Sequence, residues 1–390
     1  MRDYAVETLG LDSYLRRPGD GRKRHQIPAH DIVWAQIAGQ VLRNVSFHSV
    51  ERLIRNGSTR ALSLSRGFSE DTLAYFNERL DPGPTRAALA ATVCRAKRNK
   101  AFSGHVRIGL AIDGTSAGRT GSKKAACELC RPYADGDGEV IGHRHELAAI
   151  TVVGAGLTLP IDVEPYGPGD SELAAGCRLL ERSATLLGPR FADYVAADAK
   201  FACAPFLNAV HRLGLHAIVR LKENLPDLHG RAVVRCNSRQ PDQTFLHHGE
   251  LVEIWDEEGF RPWQGLAWPS VRVIRYRQHR TGKSVIDAYW LTDYATQAVG
   301  SQALFKMAKS RWEIENQGFN EAKTWHGMEH ICRHQANAVL VGWLLLALSL
   351  VIERLYRTCY LHRGPHPVRA AADLAMILMI ELGRGLHDTS

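Results

Sequence analysis

The sequence predicts an α/β protein in which a helical N-terminal region precedes a mixed β-sheet flanked by helices. Two features of the 390-residue chain indicate this class. Residues 31–100 have the pattern of short helices, whereas short continuous apolar runs begin at 108–112 and recur downstream, as in strands buried on both faces. Hairpin-like strands come first and strands alternating with helices follow, which is the order expected of a mixed sheet.

The positive charge is concentrated at the N-terminal end. The chain carries 49 Lys and Arg against 41 Asp and Glu, and residues 1–100 hold 17 of these basic residues and 10 of the acidic ones. A basic stretch lies near the start of this region: Arg16, Arg17, Arg22, Lys23 and Arg24. We expect residues 1–100 to form a helical, basic DNA-binding domain. A solvated basic face on a structural helical region is the alternative.

Composition and hydropathy argue against a disordered, fibrous or membrane-spanning chain. Hydrophobic residues make up 45% and charged residues 23%, as in globular proteins. The best candidate for a membrane span is residues 339–352, but a span needs about 20 residues. We therefore expect a buried helix and no membrane partner. The eight cysteines are too sparse for a disulfide framework, and the N-terminal residues lack the apolar core of a signal peptide. A cytoplasmic protein is expected.

The remaining elements follow in order along the chain. Strands are predicted at 108–112, 147–153, 158–163, 194–197 and 216–219, with helices at 171–187 and 202–213. Residues 225–297 hold four of the eight tryptophans and alternate in polarity, which predicts a β-rich insertion. Two helices follow, at roughly 301–323 and 334–360. We therefore predict an α/β domain in two parts, 101–224 and 298–390, interrupted by 225–297.

Two aspartates directly follow two of the buried runs. Asp113 comes after residues 108–112, and Asp198 comes after residues 194–197. Carboxylates at the ends of two neighbouring strands lie close enough to bind one hard cation. Either aspartate alone is also consistent with a turn or a helix cap, because Asp113-Gly-Thr is typical turn sequence.

A third acidic residue belongs to the segment 311–323. If this segment is a regular helix, Glu315 lies about 40° and Lys323 about 120° around the axis from Arg311, whereas Glu313 lies about 200° away. One face then presents a carboxylate between two cations that suit phosphate groups. The alternative is an ordinary Arg311–Glu315 ion pair on a wet surface.

The three segments together resemble the catalytic core of insertion-sequence DDE transposases, whose Glu helix carries an Arg…Glu…Lys signature. The matching segments are 111–115, 195–201 and 311–323, and residues 220–224 are also similar. Two positions depart from the family pattern. Ala308 stands where members often have a Tyr, and seven residues separate Glu315 from Lys323 where six are usual. The resemblance covers roughly residues 105–335.

The resemblance implies a ribonuclease-H-like fold and a metal-dependent DNA transposase. Asp113, Asp198 and Glu315 would be the catalytic residues and would bind two Mg²⁺ ions, for which Mn²⁺ can substitute. Arg311, Lys323 and Lys200 would contact DNA phosphates. The expected partners are double-stranded element ends and target DNA, with a homodimer bridging two ends and a nucleoid-associated location. Two alternatives remain: a catalytically silent, transposase-derived DNA-binding protein, or a ribonuclease-H-like nuclease without strand transfer.

A second group of candidate ligands lies between the first two predicted strands. Cys127 and Cys130 are followed by His143 and His145, four residue types that zinc accepts. Zinc motifs usually space the two histidines by three to five residues, so we expect unligated loop thiols here, with a structural zinc site as the alternative. The basic residues near these cysteines are also consistent with a loop that faces DNA.

Overall fold

The computed structural model of the chain describes residues 1–55, 59–105, 107–363, 367–368 and 370–387. Its helices are α1 (Asp12–Arg16), α2 (Ala29–Val41), α3 (Phe47–Leu53), α4 (Thr59–Ala61), α5 (Glu70–Asn77), α6 (Pro82–Arg98), α7 (Glu172–Leu187), α8 (Ala204–Arg212), α9 (Pro226–Asn237), α10 (Ser301–Ser310), α11 (Asn320–Trp325), α12 (Ala336–Leu355) and α13 (Ala371–His387). Its strands are β1 (Gly109–Thr120), β2 (Arg131–Ala134), β3 (Val140–Val153), β4 (Leu159–Pro165), β5 (Tyr194–Ala197), β6 (His216–Leu221), β7 (Gln243–His247), β8 (Glu250–Phe260), β9 (Val271–His279) and β10 (Ile286–Thr292). Short π-helical stretches cover Tyr4–Thr8, Ile314–Phe319 and Tyr356–Tyr360, and 3₁₀ turns cover Ala199–Phe201 and Leu361–Arg363.

A ten-stranded mixed sheet forms the centre of the protein. Its strand order is β2-β3-β1-β5-β6-β10-β9-β8-β7, and β4 also pairs with β3. The strands β1, β5 and β6 run parallel, whereas β3 is antiparallel to β1 and β4 is antiparallel to β3. All four residues of β5 are buried, as expected for a short parallel strand covered on both faces. The predicted α/β class, a large mixed sheet flanked by helices, is confirmed.

The β-rich segment predicted at 225–297 extends this sheet instead of forming a separate one. It begins with α9, and its last strand, β10, pairs antiparallel with β6. The strands β9, β8 and β7 then follow outward in turn. Pairing with β10 covers the edge that β6 would otherwise expose, which explains why the segment joins the central sheet.

The N-terminal helices pack against α12. Phe76 of α5 and Leu89 of α6 belong to the same hydrophobic core as Leu345 and Leu348 of α12, and that core continues into the sheet. The independent folding of residues 1–100 stays a prediction. Within the described residues, only the helix Ala336–Tyr360 has the length and hydropathy of a membrane span, and 89% of its apolar window is buried inside the protein. It is packed as a core helix.

Candidate active site

Asp113 and Asp198 lie side by side on neighbouring parallel strands. The last residue pair between β1 and β5 is Ile112 with Ala197, and each aspartate directly follows it. The prediction that Asp113 ends its strand needs correction, because β1 continues to Thr120 by pairing with β3. Asp113 therefore projects from the middle of a long strand, at the point where the parallel neighbour ends.

Arg311 links Asp113 to Glu315. Its guanidinium is 2.8 Å from Oδ2 of Asp113 and 2.7 Å from Oε1 of Glu315. Asp113 and Arg311 are buried, whereas the Glu315 side chain is 42% exposed. The site thus has a buried floor, formed by Asp113 and Arg311, and a carboxylate at its rim that solvent or a substrate can reach.

The electrostatics of Asp113 show that the other two predicted carboxylates lie close enough to act on it. Burial raises the pKa of Asp113 to about 7, and Arg311 opposes this shift. The negative charges of Glu315 and Asp198 contribute to the same rise. Like charges that disfavour each other's ionisation are typical of sites that bind a cation. The structure therefore brings together the three carboxylates that the sequence places on separate segments.

A fourth carboxylate, Glu172, lies beside the site and was not predicted. Lys200 donates from its ammonium group to Glu172 at 2.8 Å, and its backbone N–H donates to Asp198 at 2.8 Å. Glu172 begins α7 and lies over Gly114, where a Cβ atom would come within 2.4 Å of the Glu172 carboxyl carbon. Glycine at 114 therefore makes room for this side chain next to Asp113. The sequence gives no signal for Glu172 beyond its place at a helix start.

A π-helical turn, Ile314–Phe319, contains Glu315 and precedes Lys323. In a regular α-helix, eight steps of about 100° would put Lys323 about 80° from Glu315. The turn Ile314–Phe319 absorbs one residue, so seven effective steps bring Lys323 back to within about 20° of Glu315. The extra residue in the spacing is therefore compensated by the helix geometry. Lys323 itself contacts Glu329 at 3.3 Å.

Glu313 lies on a different side of the same helix. One of its carboxylate oxygens accepts hydrogen bonds from the backbone N–H of Gly154 at 3.0 Å and from the hydroxyl of Thr158 at 3.3 Å. Burial raises the pKa of Glu313. These contacts hold the helix against the turn between β3 and β4. The Glu313 carboxylate is therefore engaged in packing this helix, whereas the Glu315 carboxylate is open to solvent.

The candidate set of zinc ligands is corrected at one position. His143 turns its Nδ1 toward the carbonyl oxygen of Ser122, at 2.9 Å, and does not join the two cysteines. The fourth residue beside Cys127, Cys130 and His145 is His334, from the loop before α12. His143 and His145 point the same way along β3, but the irregular pairing between Ala117 and Thr120 of β1 gives them different surroundings.

The carboxylate site has the donor set of a hard divalent cation. Asp113, Asp198 and Glu315 offer only oxygen ligands, which suit Mg²⁺ or Mn²⁺ better than a soft metal. The positive charge that now balances two of them belongs to Arg311. Lys200 adds a second cation at the edge of the carboxylate site. Glu172, Asp198 and Asp113 all raise the pKa of Lys200, which favours its charged form.

The environment of Asp113 predicts a pH-dependent effect of Asp113→Asn on stability. With metal removed, the variant should gain more stability over the wild type at about pH 8 than at about pH 5. The folded wild type keeps a proton up to about pH 7 that an unfolded aspartate releases near pH 4, so its unfolding free energy falls as the pH rises through this interval. The fall is at most about 1.4 kcal/mol per pH unit, and asparagine has no such dependence. Urea unfolding of both proteins at both pH values measures it. A gain that shrinks at the higher pH would contradict the assigned environment.

The family model described as "Transposase DDE domain" matches residues 104–352, which include Asp113, Asp198 and Glu315. No curated protein sequence matches the chain. Among solved structures, a piggyBac transposase synaptic complex with hairpin DNA is similar with a TM-score of 0.48 and 12% sequence identity, covering 92% of this chain and 72% of that one.

Proposed function

Because the chain belongs to the transposase DDE domain family, we propose that it is the transposase of an insertion element. It binds the ends of that element, cleaves phosphodiester bonds there and joins the freed strand to target DNA. The observation that carries this proposal is the meeting of Asp113, Asp198 and Glu315 at one site, around the guanidinium of Arg311. The strand order β4-β3-β1-β5-β6 around this site supports a ribonuclease-H-like core.

In this proposal the three carboxylates hold the metal and the cations hold the DNA. When bound, two Mg²⁺ ions would activate the attacking water or 3′-hydroxyl and stabilise the charge on both oxygens of the displacement. Asp113 would supply the buried ligand, and Asp198 and Glu315 would supply one ligand each. Arg311 restrains two of these carboxylates through its ion pairs. Lys200 lies beside the site and Lys323 lies further along the helix that carries Glu315, and both contact phosphates and set the position of the DNA without reading its sequence.

The exposed N-terminal basic residues are proposed to bind the element ends. Arg22 does not belong to this surface, since it is buried and paired with Asp20 at 2.7 Å. The other four members of the stretch are exposed: Arg16, Arg17, Lys23 and Arg24. Because the N-terminal helices share a core with α12, charge substitution tests this role better than deletion of residues 1–100.

Changing these four exposed residues together to glutamine should weaken binding to element ends and flatten its salt dependence. Each lost phosphate contact lowers the slope of log K against log salt by about 0.9. Binding to labelled ends at several salt concentrations measures the slope. The matched control changes four exposed basic residues elsewhere: Arg212, Arg231, Arg261 and Lys283. Equal loss of binding in the control would mean that only net charge matters.

Incubation of the purified protein with a plasmid that carries its gene and native flanks tests the function. We expect cuts at paired inverted ends with Mg²⁺, none with EDTA, and none with Asp113→Asn. Tight binding to the ends without cutting would identify a silent DNA-binding protein. Cuts scattered without regard to the ends, and no strand joining, would identify a nuclease. Size-exclusion chromatography of the DNA complex tests the proposed homodimer, and the location of a fluorescent fusion tests the proposed association with the nucleoid.

A further inference from the structure

A compact group of soft ligands lies apart from the carboxylate site. This Cys/His cluster consists of Cys127, Cys130, His145 and His334, and each residue has a ligand atom within 4.8 Å of the others. The two sulfur atoms are 3.7 Å apart. The Nε2 atom of His145 is 3.2 Å from Sγ of Cys127 and 3.6 Å from Sγ of Cys130.

These separations are close to the edges of a zinc tetrahedron. Zinc binds thiolate sulfur at about 2.3 Å and imidazole nitrogen at about 2.0–2.1 Å. Tetrahedral angles then require about 3.8 Å between two sulfurs and about 3.6 Å between a sulfur and a nitrogen. Cys127, Cys130 and His145 already form one face with such edges, and His334 offers a fourth ligand atom within 4.8 Å of the others.

The local structure holds the first three ligands in place. Cys127 and Cys130 belong to a tight turn, in which the Cys130 N–H donates to the Cys127 carbonyl at 3.1 Å. His145 is completely buried on β3, and its ring stands nearly perpendicular to that of Trp343. Its Nε2 atom faces the two sulfurs, so the buried imidazole offers its ligand atom toward the cluster.

The fourth ligand comes from a segment that is fastened to β1. Gly118 has a φ of +63°, and a Cβ atom there would come within 2.2 Å of Ile331. The same glycine donates its N–H to Glu329 at 3.0 Å. Gly118 therefore allows the loop that carries Ile331 and His334 to lie directly against the strand, next to His145.

We propose that Cys127, Cys130, His145 and His334 bind one structural Zn²⁺ ion. The ion links the loop before α12 to strand β3 and to the turn that precedes β2. That loop also carries Glu329, the partner of Lys323, so the zinc site stabilises the position of the helix end that carries Lys323. Thiolate and imidazole ligands favour zinc over the Mg²⁺ that suits the carboxylates, so the two sites differ in metal. The inference does not depend on the proposed transposase activity.

Metal analysis of the full-length protein tests this proposal. We expect about one zinc ion per chain after purification without added metal. Inductively coupled plasma mass spectrometry measures the zinc content, and the iron content of the same sample is measured with it. Replacing the metal with Co²⁺ should give the intense visible absorption of tetrahedral cobalt with thiolate ligands. A protein without zinc that takes up no Co²⁺ in this way, or one that holds iron instead, would overturn the proposal.

Variants distinguish this ligand set from the one that the sequence suggests. His334→Ala and Cys127→Ser should lower zinc affinity by about 100-fold or more in competition with a chromogenic chelator, because loss of a ligand costs at least as much as loss of its supporting contacts. His334→Cys should keep the zinc, which separates a lost ligand from a misfolded protein. His143→Ala and Cys332→Ser are the matched controls and should bind zinc like the wild type. Loss of zinc in His143→Ala, with retention in His334→Ala, would overturn the assignment.

Discussion

Replacing Asp113, Asp198 or Glu315 by alanine is expected to abolish cleavage at element ends and to leave end binding nearly intact. Each carboxylate lies in the site that forms around Arg311, whereas the proposed end-binding residues lie in the N-terminal region. Loss of about 3 kcal/mol of transition-state stabilisation lowers the rate more than a hundredfold. Single-turnover cleavage of a labelled end fragment, with binding measured on the same fragment, checks both parts.

Glu313 provides a matched control on the same helix. Glu315→Gln should lose cleavage, because an amide is a poor ligand for a hard cation. Glu313→Gln should cleave like the wild type, since an amide oxygen can still accept the hydrogen bonds from Gly154 and Thr158. If the two glutamine variants were equally inactive, the assignment of Glu315 to the metal site would be wrong.

The grouping of the three carboxylates can be predicted from the sequence because its signals are local. Buried parallel strands are continuous apolar runs, so residues 108–112 and 194–197 are recognisable as strands, and the aspartates after them can be paired. The helix face that carries Glu315 follows from periodicity. Glu172 has no such signal, because its proximity to Asp113 depends on where α7 begins and on the missing side chain at Gly114.

Features that depend on long-range packing could not be predicted in the same way. His334 is far from His145 along the chain, and only the approach of the loop to Gly118 brings the two rings to 5.3 Å. Sequence spacing makes His143 a candidate zinc ligand, but it does not show that this ring faces Ser122. The π-helical turn was missed because a constant 100° per residue assumes a regular helix. Alternating polarity in 225–297 predicts strands but not that β10 pairs with β6.

A buried ion-pair cluster joins the N-terminal helices to the sheet. Asp162 on β4 is completely buried and contacts Arg86 of α6 at 2.9 Å and Arg182 of α7 at 2.6 Å. Both arginines also contact Glu164. Burial raises the pKa of Asp162, and the two arginines oppose that shift. This carboxylate therefore depends on its two partners to remain charged inside the protein.

Replacing both Arg86 and Arg182 by alanine is expected to cost about 3–5 kcal/mol of unfolding free energy near neutral pH, because a buried charge is left without a partner. The cost should be smaller in acid, where Asp162 takes up a proton in the folded state. Urea unfolding at both pH values measures it. Arg178→Ala is the matched control: Arg178 also contacts Glu164, but its side chain is 42% exposed, so its loss should cost at most about 1 kcal/mol.

A further variant separates charge from packing in this cluster. Changing Arg86 and Arg182 to methionine and Asp162 to leucine removes the buried charges and keeps much of the side-chain volume. Because apolar replacement of a whole buried ion pair is often neutral or stabilising, this variant should be about as stable as the wild type. If it were as unstable as the double alanine variant, the cluster would act through packing of the arginine stems. A stable triple variant beside an unstable double one would mean that the unpaired charge of Asp162 is the cause.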